Sequence, residues 1–189
     1  LADLEEAEIP VAPTRPFPDG ETLHQIDHIP YCLFRRMGGR APDNTPPWSA
    51  AFISAVMRRA GFDETEFAFS DTHADYVVAA RDHRASAYEV VPTPAAASVG
   101  DLVCATRQGR AGEPQPTLVQ DIRSGQGATP MHCDLVVAVD TANRRLEAIG
   151  GNVQQSVARS LVALDGQGRV SASLNPARPW IAVMRLNKP

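Results

Sequence analysis

The sequence predicts an α+β domain in which N-terminal helices pack on a C-terminal antiparallel sheet. Apolar residues recur at helical spacing between residues 46 and 83, and β-branched runs separated by turn residues fill the chain after Arg84. Helices and strands that follow each other in separate blocks are typical of α+β domains. The 189 residues, 43% of them hydrophobic, are enough for one domain with a substantial core.

Charge and hydropathy exclude two classes of partner. The net charge of −4 provides no basic surface for nucleic acid, so we expect no nucleic-acid partner. No apolar run approaches the roughly 20 residues that a spanning helix needs, so we expect no membrane span. The chain starts at Leu1, and a signal peptide is not visible in it.

The first 40 residues carry weak signals. Residues 1–20 are acidic and then proline-rich, which predicts an extended strap or tail ahead of a single domain over residues 21–189. The stretch "ETLHQIDHIPYCLFRRMGG" has a weak helical period, and Pro30 divides it into two short predicted helices. His24, Asp27 and His28 have metal-compatible spacing, but a solvated helix face explains them better because no fourth ligand is evident. We expect no metal and no cofactor.

Two stronger helices follow. The first is predicted from Pro46, which suits a first helical position, to a stop at Gly61. Its apolar residues form one face, with Ser49 at the edge of that face. The second helix is predicted to be capped by Ser70 or Asp71 and to end near His83.

The rest of the chain is predicted to form strands. The candidates are "YEVV", "DLVCAT", "HCDLVVAVD", "RLEAIGG", "VARSLVALD", "RVSAS" and "WIAVMRL", with "DGQG" as a hairpin turn. Residues 107–130 form a predicted hairpin loop or flap, of a length often associated with function. Cys104 and Cys133 lie in two of these strands and are the pair to test for a bridge, although we expect reduced core cysteines.

Four short motifs occur in a meaningful order: "PWSAAFIS" on a helix, "GDLVC" and "HCDLVV" on strands, and "IGGNVQQSV" after them. This order, over residues 46–157, resembles the CHAP and NlpC-type papain-like cell-wall hydrolases, which have a Trp-Cys-Ala-like helix start, a "GDLV" strand, a histidine opening the next strand and a "GGN". The resemblance implies a papain-like fold that hydrolyses an amide bond in peptidoglycan peptide or a related acyl substrate. It also implies a periplasmic or secreted location.

By the same resemblance, Ser49 occupies the nucleophile position, His132 the general-base position and Asn152 the position that orients the imidazole. Trp48 would form a wall of the cleft and His73 would line it, although a core role for Trp48 and a role for His73 in capping or in packing against Tyr76 are the simpler interpretations.

Serine at the nucleophile position departs from the superfamily, whose cysteine works because its thiol ionises easily. Ser49 is therefore a native nucleophile, an inactivating replacement of natural or engineered origin, or only a hydroxyl at a helix start. A native nucleophile implies a hydrolase, a natural replacement implies an inactive peptide- or glycan-binding module, and an engineered replacement implies a variant of an active cysteine hydrolase.

The strand that His132 opens also carries Asp134. Strand alternation places His132, Asp134 and Val136 on one face and Cys133 and Leu135 on the other. Asp134 would raise the pKa of His132, replace Asn152 as its orienting group, or only cap a turn or pair with an arginine. The two glycines of "GGN" would let the backbone approach the site closely.

Overall fold

The computed structural model describes residues 23–26, 29–32, 47–107, 115–153, 156–176 and 178–187. The strap predicted for residues 1–20 lies outside these ranges, and so do the side chains of His24, Asp27 and His28. Two main helices precede a six-stranded sheet: α1 (Ser49–Arg59) and α2 (His73–Arg81). This order confirms the predicted α+β class.

The large sheet is antiparallel throughout. Its strands lie in the order β3-β8-β4-β5-β6-β7. They are β3 (Tyr88–Pro92), β4 (Leu102–Thr106), β5 (Met131–Asp140), β6 (Arg145–Val153), β7 (Ser156–Ala163) and β8 (Trp180–Leu186). The insertion of β8 between β3 and β4 places the chain's last strand in the interior of the sheet. None of the helices in the described ranges is long and apolar enough to cross a membrane.

The central turns of the two main helices lie where they were predicted, but both helices start at later residues than predicted. α1 starts at Ser49 with Trp48 as its N-cap, later than the predicted start, and Pro46 lies outside the described ranges. Gly61 ends it as predicted, with φ +89° and an N–H that donates to the Arg58 carbonyl at 3.0 Å. α2 starts after Thr72, whose backbone is extended.

The core lies on both faces of the sheet. One cluster joins the buried face of α1 and α2 to the sheet side that carries Cys133, with Leu135 packed against it. The other cluster contains Val103, Val136 and Trp180. The predicted alternation along β5 is therefore confirmed, because Cys133 and Val136 belong to different clusters.

Two predicted elements are wrong. The pair of short helices around Pro30 is replaced by an antiparallel pair, β1 (Leu23–Ile26) and β2 (Ile29–Cys32). A two-stranded sheet accepts a proline because each strand has an open edge where a missing N–H breaks no ladder bond. The strand predicted for "RVSAS" is reduced to isolated bridges from Val170 and a 3₁₀ turn, Ala172–Leu174, although the "DGQG" turn before it is present.

The expectation of reduced cysteines is also wrong, because Cys104 and Cys133 form a disulfide. The two residues are directly opposite each other in the β4–β5 register, with their Cα atoms 4.1 Å apart. Facing positions on one side of an antiparallel pair bring two side chains into contact. The bond therefore links β4, which contains the end of "GDLVC", to β5, which carries His132.

Candidate functional site

Two helix starts meet at a buried hydrogen bond. Ser49 is the first residue of α1 and His73 the first residue of α2. The Ser49 Oγ lies 2.5 Å from Nε2 of His73, and both side chains are buried. The other ring nitrogen, Nδ1, contacts the hydroxyl of Tyr76, three residues further along α2. The His73 ring is thus held at both nitrogens, by a serine on one side and a tyrosine on the other.

The start of α2 is fixed by a local network. The Thr72 N–H donates to the Ser70 hydroxyl at 3.0 Å, and that hydroxyl donates to Asp75 at 2.8 Å. Asp75 also accepts the Gly125 N–H, at 2.9 Å, from the long β4–β5 connection. Short polar side chains in this pattern compete well with the helix ladder just outside its first turn. They orient the first turn so that His73 faces inward.

Both members of the His73–Tyr76 pair are neutral. Burial, followed by the charges of His132, Arg107 and Arg178, holds the pKa of His73 well below its usual value. Burial, followed by the negative charge of Asp134, raises the pKa of Tyr76 well above its usual value. The chain from Ser49 through His73 to Tyr76 therefore carries no net charge, and its two hydroxyls allow the imidazole proton to sit on either ring nitrogen.

His132 lies beside this chain, and its ring has two partners of opposite charge. Its Nε2 is 2.6 Å from Oδ1 of Asp134, and both side chains are fully buried. Its Nδ1 is 3.0 Å from a guanidinium nitrogen of Arg107. A guanidinium only donates, so Nδ1 accepts and the single proton of the neutral ring is on Nε2, next to the carboxylate. The Asp134 oxygen lies off the direction of that N–H, so the contact is an electrostatic one rather than an aligned hydrogen bond.

The pKa of His132 is lowered, which differs from the expectation that Asp134 would raise it. Burial is the largest cause, the adjacent Asp134 carboxylate acts in the opposite direction, and Arg178 and Arg107 lower it further. Desolvation thus outweighs the neighbouring carboxylate.

The structure brings four of the predicted site residues into one cluster. The ring centroids of His73 and His132 are 5.3 Å apart. Ser49 joins the cluster through His73, and Asp134 joins it through His132. The pairing within the cluster differs from the predicted one, because the hydroxyl of Ser49 is bonded to His73 and not to His132.

The backbone of the "GGN" segment lies very close to the side chains of the cluster. A Cβ on Gly150 would stand 2.8 Å from Cγ of Asp134, and one on Gly151 would stand 2.6 Å from Cβ of Phe52. The prediction that these glycines let the backbone approach the site is confirmed. Asn152 has φ +57° and is half-buried, and the two ring nitrogens of His132 lie next to Asp134 and Arg107.

The Trp48 side chain lies next to Gly151. Its side chain is buried, it packs edge-on against Phe52 at 6.5 Å between centroids, and it reaches within 3.0 Å of the place where a Cβ on Gly151 would stand. In this structure Trp48 is therefore a core residue next to the site.

The cluster has three further members. Tyr76 was expected as a packing partner of His73, since a histidine and a tyrosine three residues apart share a helix face, and the two side chains are in contact. Arg107 and Arg178 were not identified, because each is an isolated arginine near the end of a strand. Arg178 lies 3.5 Å from Oδ2 of Asp134 and stacks over the Trp180 ring at 4.8 Å. In the described ranges, no group of three or more His, Cys, Asp or Glu side chains could hold a metal ion.

Comparison with known proteins gives one match. A family model described as "Uncharacterized protein conserved in bacteria (DUF2272)" matches residues 34–186. No curated protein and no solved structure matches the chain. The match includes α1, α2 and the whole six-stranded sheet, and so contains every residue of the buried cluster.

Proposed function

The chain belongs to the bacterial family DUF2272, and from its buried cluster we propose that it is an amide hydrolase with Ser49 as nucleophile and His73 as general base. The observation that carries the proposal is the 2.5 Å contact between Ser49 Oγ and His73 Nε2 at the start of α1. A hydroxyl becomes a nucleophile when a neutral imidazole within hydrogen-bond reach accepts its proton, and a third group holds the imidazole in the right tautomer.

Each residue has a defined part in the proposed reaction. As Ser49 Oγ attacks the carbonyl carbon, its proton passes to Nε2 of His73, and the amide π electrons move onto the carbonyl oxygen. In the proposed tautomer the Nδ1–H of His73 donates to the Tyr76 hydroxyl that it contacts, so that Nε2 is free to accept. His73 then gives its proton to the leaving amine as the C–N bond breaks. A water molecule then gives a proton to Nε2 of His73 as it attacks the acyl carbon, and the bond to Ser49 Oγ breaks as that oxygen takes the proton back, which releases the acid.

The start of α1 favours the negative charge that develops on the substrate oxygen. Ser49 occupies its first helical position, where backbone N–H groups have no partner within the helix and the helix dipole is positive. Donors placed at a developing oxyanion are often worth a factor of about 10² to 10³ in rate.

His132 is a second histidine next to the proposed reacting groups, but both of its ring nitrogens already have partners. Its proton faces Asp134 and its lone pair faces Arg107, so it is not bonded to Ser49. His132 is the base that the sequence predicted, and it remains the alternative to His73. The experiment below tests both residues.

The substrate class rests on the motif order, which resembles that of papain-like cell-wall hydrolases. We propose a papain-like arrangement and an amide bond of peptidoglycan peptide as the target. The disulfide between Cys104 and Cys133 supports a periplasmic or secreted location, since such bonds form and persist in oxidising compartments.

A binding module of the same fold is the second candidate, and the burial of the cluster favours it. Ser49 is 5% exposed, and His132 and Asp134 are fully buried, so a carbonyl group reaches the hydroxyl only after a neighbour moves. A protein that grips a peptide without cutting it has no need of that movement.

Two assays separate the candidates. In the first, purified peptidoglycan is incubated with the protein and soluble products are identified by mass spectrometry. In the second, a fluorophosphonate probe is added and the modified peptide is mapped. The hydrolase proposal expects released peptides and an adduct on Ser49. Peptide binding with neither product nor adduct would identify a binding module.

Variants assign the roles. Ser49→Ala and His73→Gln are each expected to lower turnover by about 10³-fold or more, because nucleophile and base act as a unit. Ser54→Ala is the matched control, since Ser54 lies on the same helix, is fully buried and bonds the Ser70 backbone instead. Full activity in His73→Gln together with loss in His132→Ala would transfer the base role to His132.

A further inference from the structure

Arg107 occupies an unusual position for a cation. It follows β4 directly, it is exposed, and its guanidinium contacts Nδ1 of the fully buried His132 at 3.0 Å. A guanidinium presents several N–H donors in a planar fork that suits a carboxylate or phosphate. Here it meets one nitrogen of a neutral ring. Within the described ranges, no carboxylate forms an ion pair with Arg107.

Arg178 is the second cation at this site. Its terminal nitrogen lies 3.5 Å from Oδ2 of Asp134, which is too long for a hydrogen bond. Its Nε and one terminal nitrogen are buried and make no hydrogen bond within the described ranges. Buried guanidinium donors without acceptors are costly unless a ligand supplies the acceptors.

The charges around the cluster do not balance. His73, Tyr76 and His132 are neutral, so the part of the cluster that the structure describes holds two guanidinium groups, of Arg107 and Arg178, and one carboxylate, that of Asp134. The two guanidiniums also act on each other: the pKa of Arg178 is lowered by burial and then, against the opposing effect of Asp134, by the charge of Arg107. A partly buried site with surplus positive charge attracts an anionic ligand.

We propose that Arg107 and Arg178 select a substrate that carries a carboxylate beside the scissile amide, and that Arg107 leaves the His132 ring to bind it. The carboxylate offers two oxygens to the guanidinium fork and replaces a single imidazole nitrogen, so the exchange favours the bound state. Movement of Arg107, the exposed member of the cluster, uncovers His132 when an acidic substrate arrives. That the ligand is a substrate rests on the proposed function. That the two arginines bind a carboxylate does not depend on catalysis.

The test uses two synthetic cell-wall stem peptides. One has free carboxylates and the other has the same groups converted to carboxamides. Their dissociation constants for the Ser49→Ala variant, which binds without turnover, are measured by calorimetry at low and high salt. We expect the carboxylate peptide to bind at least about tenfold more tightly at low salt, with a smaller ratio at high salt.

Arginine variants in the Ser49→Ala background assign the preference. Arg107→Gln and Arg178→Gln are each expected to reduce the ratio of the two constants to about threefold or less, and Arg107→Lys to restore part of it. Arg159→Gln is the matched control, because Arg159 is an exposed arginine whose partner is Glu147 on the neighbouring strand. A purely structural role would weaken binding of both peptides alike and leave the ratio unchanged.

The outcomes separate this inference from the hydrolase proposal. Equal affinity for the two peptides, binding of neither, or a ratio unaffected by Arg107→Gln and Arg178→Gln would overturn the inference, even if the wild-type protein cleaves both peptides. An arginine-dependent preference without any cleavage by the wild-type protein would support the inference and refute the hydrolase.

Discussion

The replacement of Gly150 by alanine tests how tightly the backbone approaches the cluster. An alanine Cβ would stand 2.8 Å from Cγ of Asp134 and 3.0 Å from Nε2 of His132, and nearer still to Oδ1 of Asp134. Ordinary contacts start at about 3.4 Å, so the carboxylate must retreat by at least roughly 0.6 Å. Both side chains are fully buried, and neither has free space in which to move without loss of the 2.6 Å contact between them.

The expected loss of stability follows from these contacts. Overpacking of a buried position costs about 1–3 kcal/mol, and separation of a buried polar pair adds about 1–3 kcal/mol. We expect a decrease of about 2–6 kcal/mol in the free energy of unfolding, or a fall of roughly 4–24 °C in Tm for a domain of this size. Urea unfolding followed by circular dichroism, together with thermal scans, measures both quantities.

A matched control and a double variant sharpen this test. Gly166→Ala is the control, since no atom lies within 4 Å of its added Cβ and its φ is not in the left-handed region. In an Asp134→Ala background the main collision is absent, so the cost of Gly150→Ala is expected to fall by more than half. If Gly150→Ala were as stable as Gly166→Ala, or if its cost were the same in both backgrounds, the close approach described for Gly150 would be incorrect.

Two further predictions concern the whole domain. Reduction of the Cys104–Cys133 disulfide, whose cysteines are 29 residues apart, should lower the free energy of unfolding by about 3–4 kcal/mol through the entropy of the unfolded chain, and an unchanged urea midpoint after reduction would contradict this. Acidification from about pH 7 to pH 5 should also destabilise the domain, because the folded pKa values of His73 and His132 lie below the unfolded value of about 6.5. The unfolded state then binds protons that the folded state does not, so stability is present above the unfolded pKa and falls at up to about 1.4 kcal/mol per pH unit for each histidine. Urea midpoints across this range measure the slope, and a flatter profile in His73→Gln assigns its share.

The sequence predicted the regular parts of the fold and missed those governed by long-range contacts. The helix that contains Phe52 and Ile53 was predictable because its apolar residues repeat at one period and Gly61 ends it. The β1–β2 pair was missed because the prediction used only the weak helical period around Pro30. Whether a segment forms a strand depends also on the strand with which it pairs, and that partner is not visible in a local pattern. The "RVSAS" segment was wrongly predicted as a strand because its alternation is a local signal, whereas of its residues Val170 alone forms β-bridges.

The members of the site were more predictable than their pairing. Motif order identified Ser49 and His132, strand alternation added Asp134, and the structure places all three in one buried cluster. It did not identify His73 as the partner of Ser49, because the match between two helix starts depends on how α1 and α2 pack. Arg107 was unpredictable for the same reason, since its contact with His132 arises from the register of β4 on β5, where Ala105 faces His132.

The buried charges of the cluster favour the hypothesis that these residues bind a ligand over the hypothesis that they only stabilise the fold. A buried network of histidines, a carboxylate and two arginines is harder to stabilise than apolar residues of the same volume, since each charged group loses its hydration. The protein reduces this cost by keeping His73 and His132 neutral, as the lowered pKa values of both rings indicate. It does not remove the cost, because Asp134 makes no aligned hydrogen bond and Arg178 retains buried donors without acceptors in the described ranges. Stability alone gives no reason to retain such groups, whereas a ligand that supplies acceptors to the arginines and a carbonyl to Ser49 would satisfy them together.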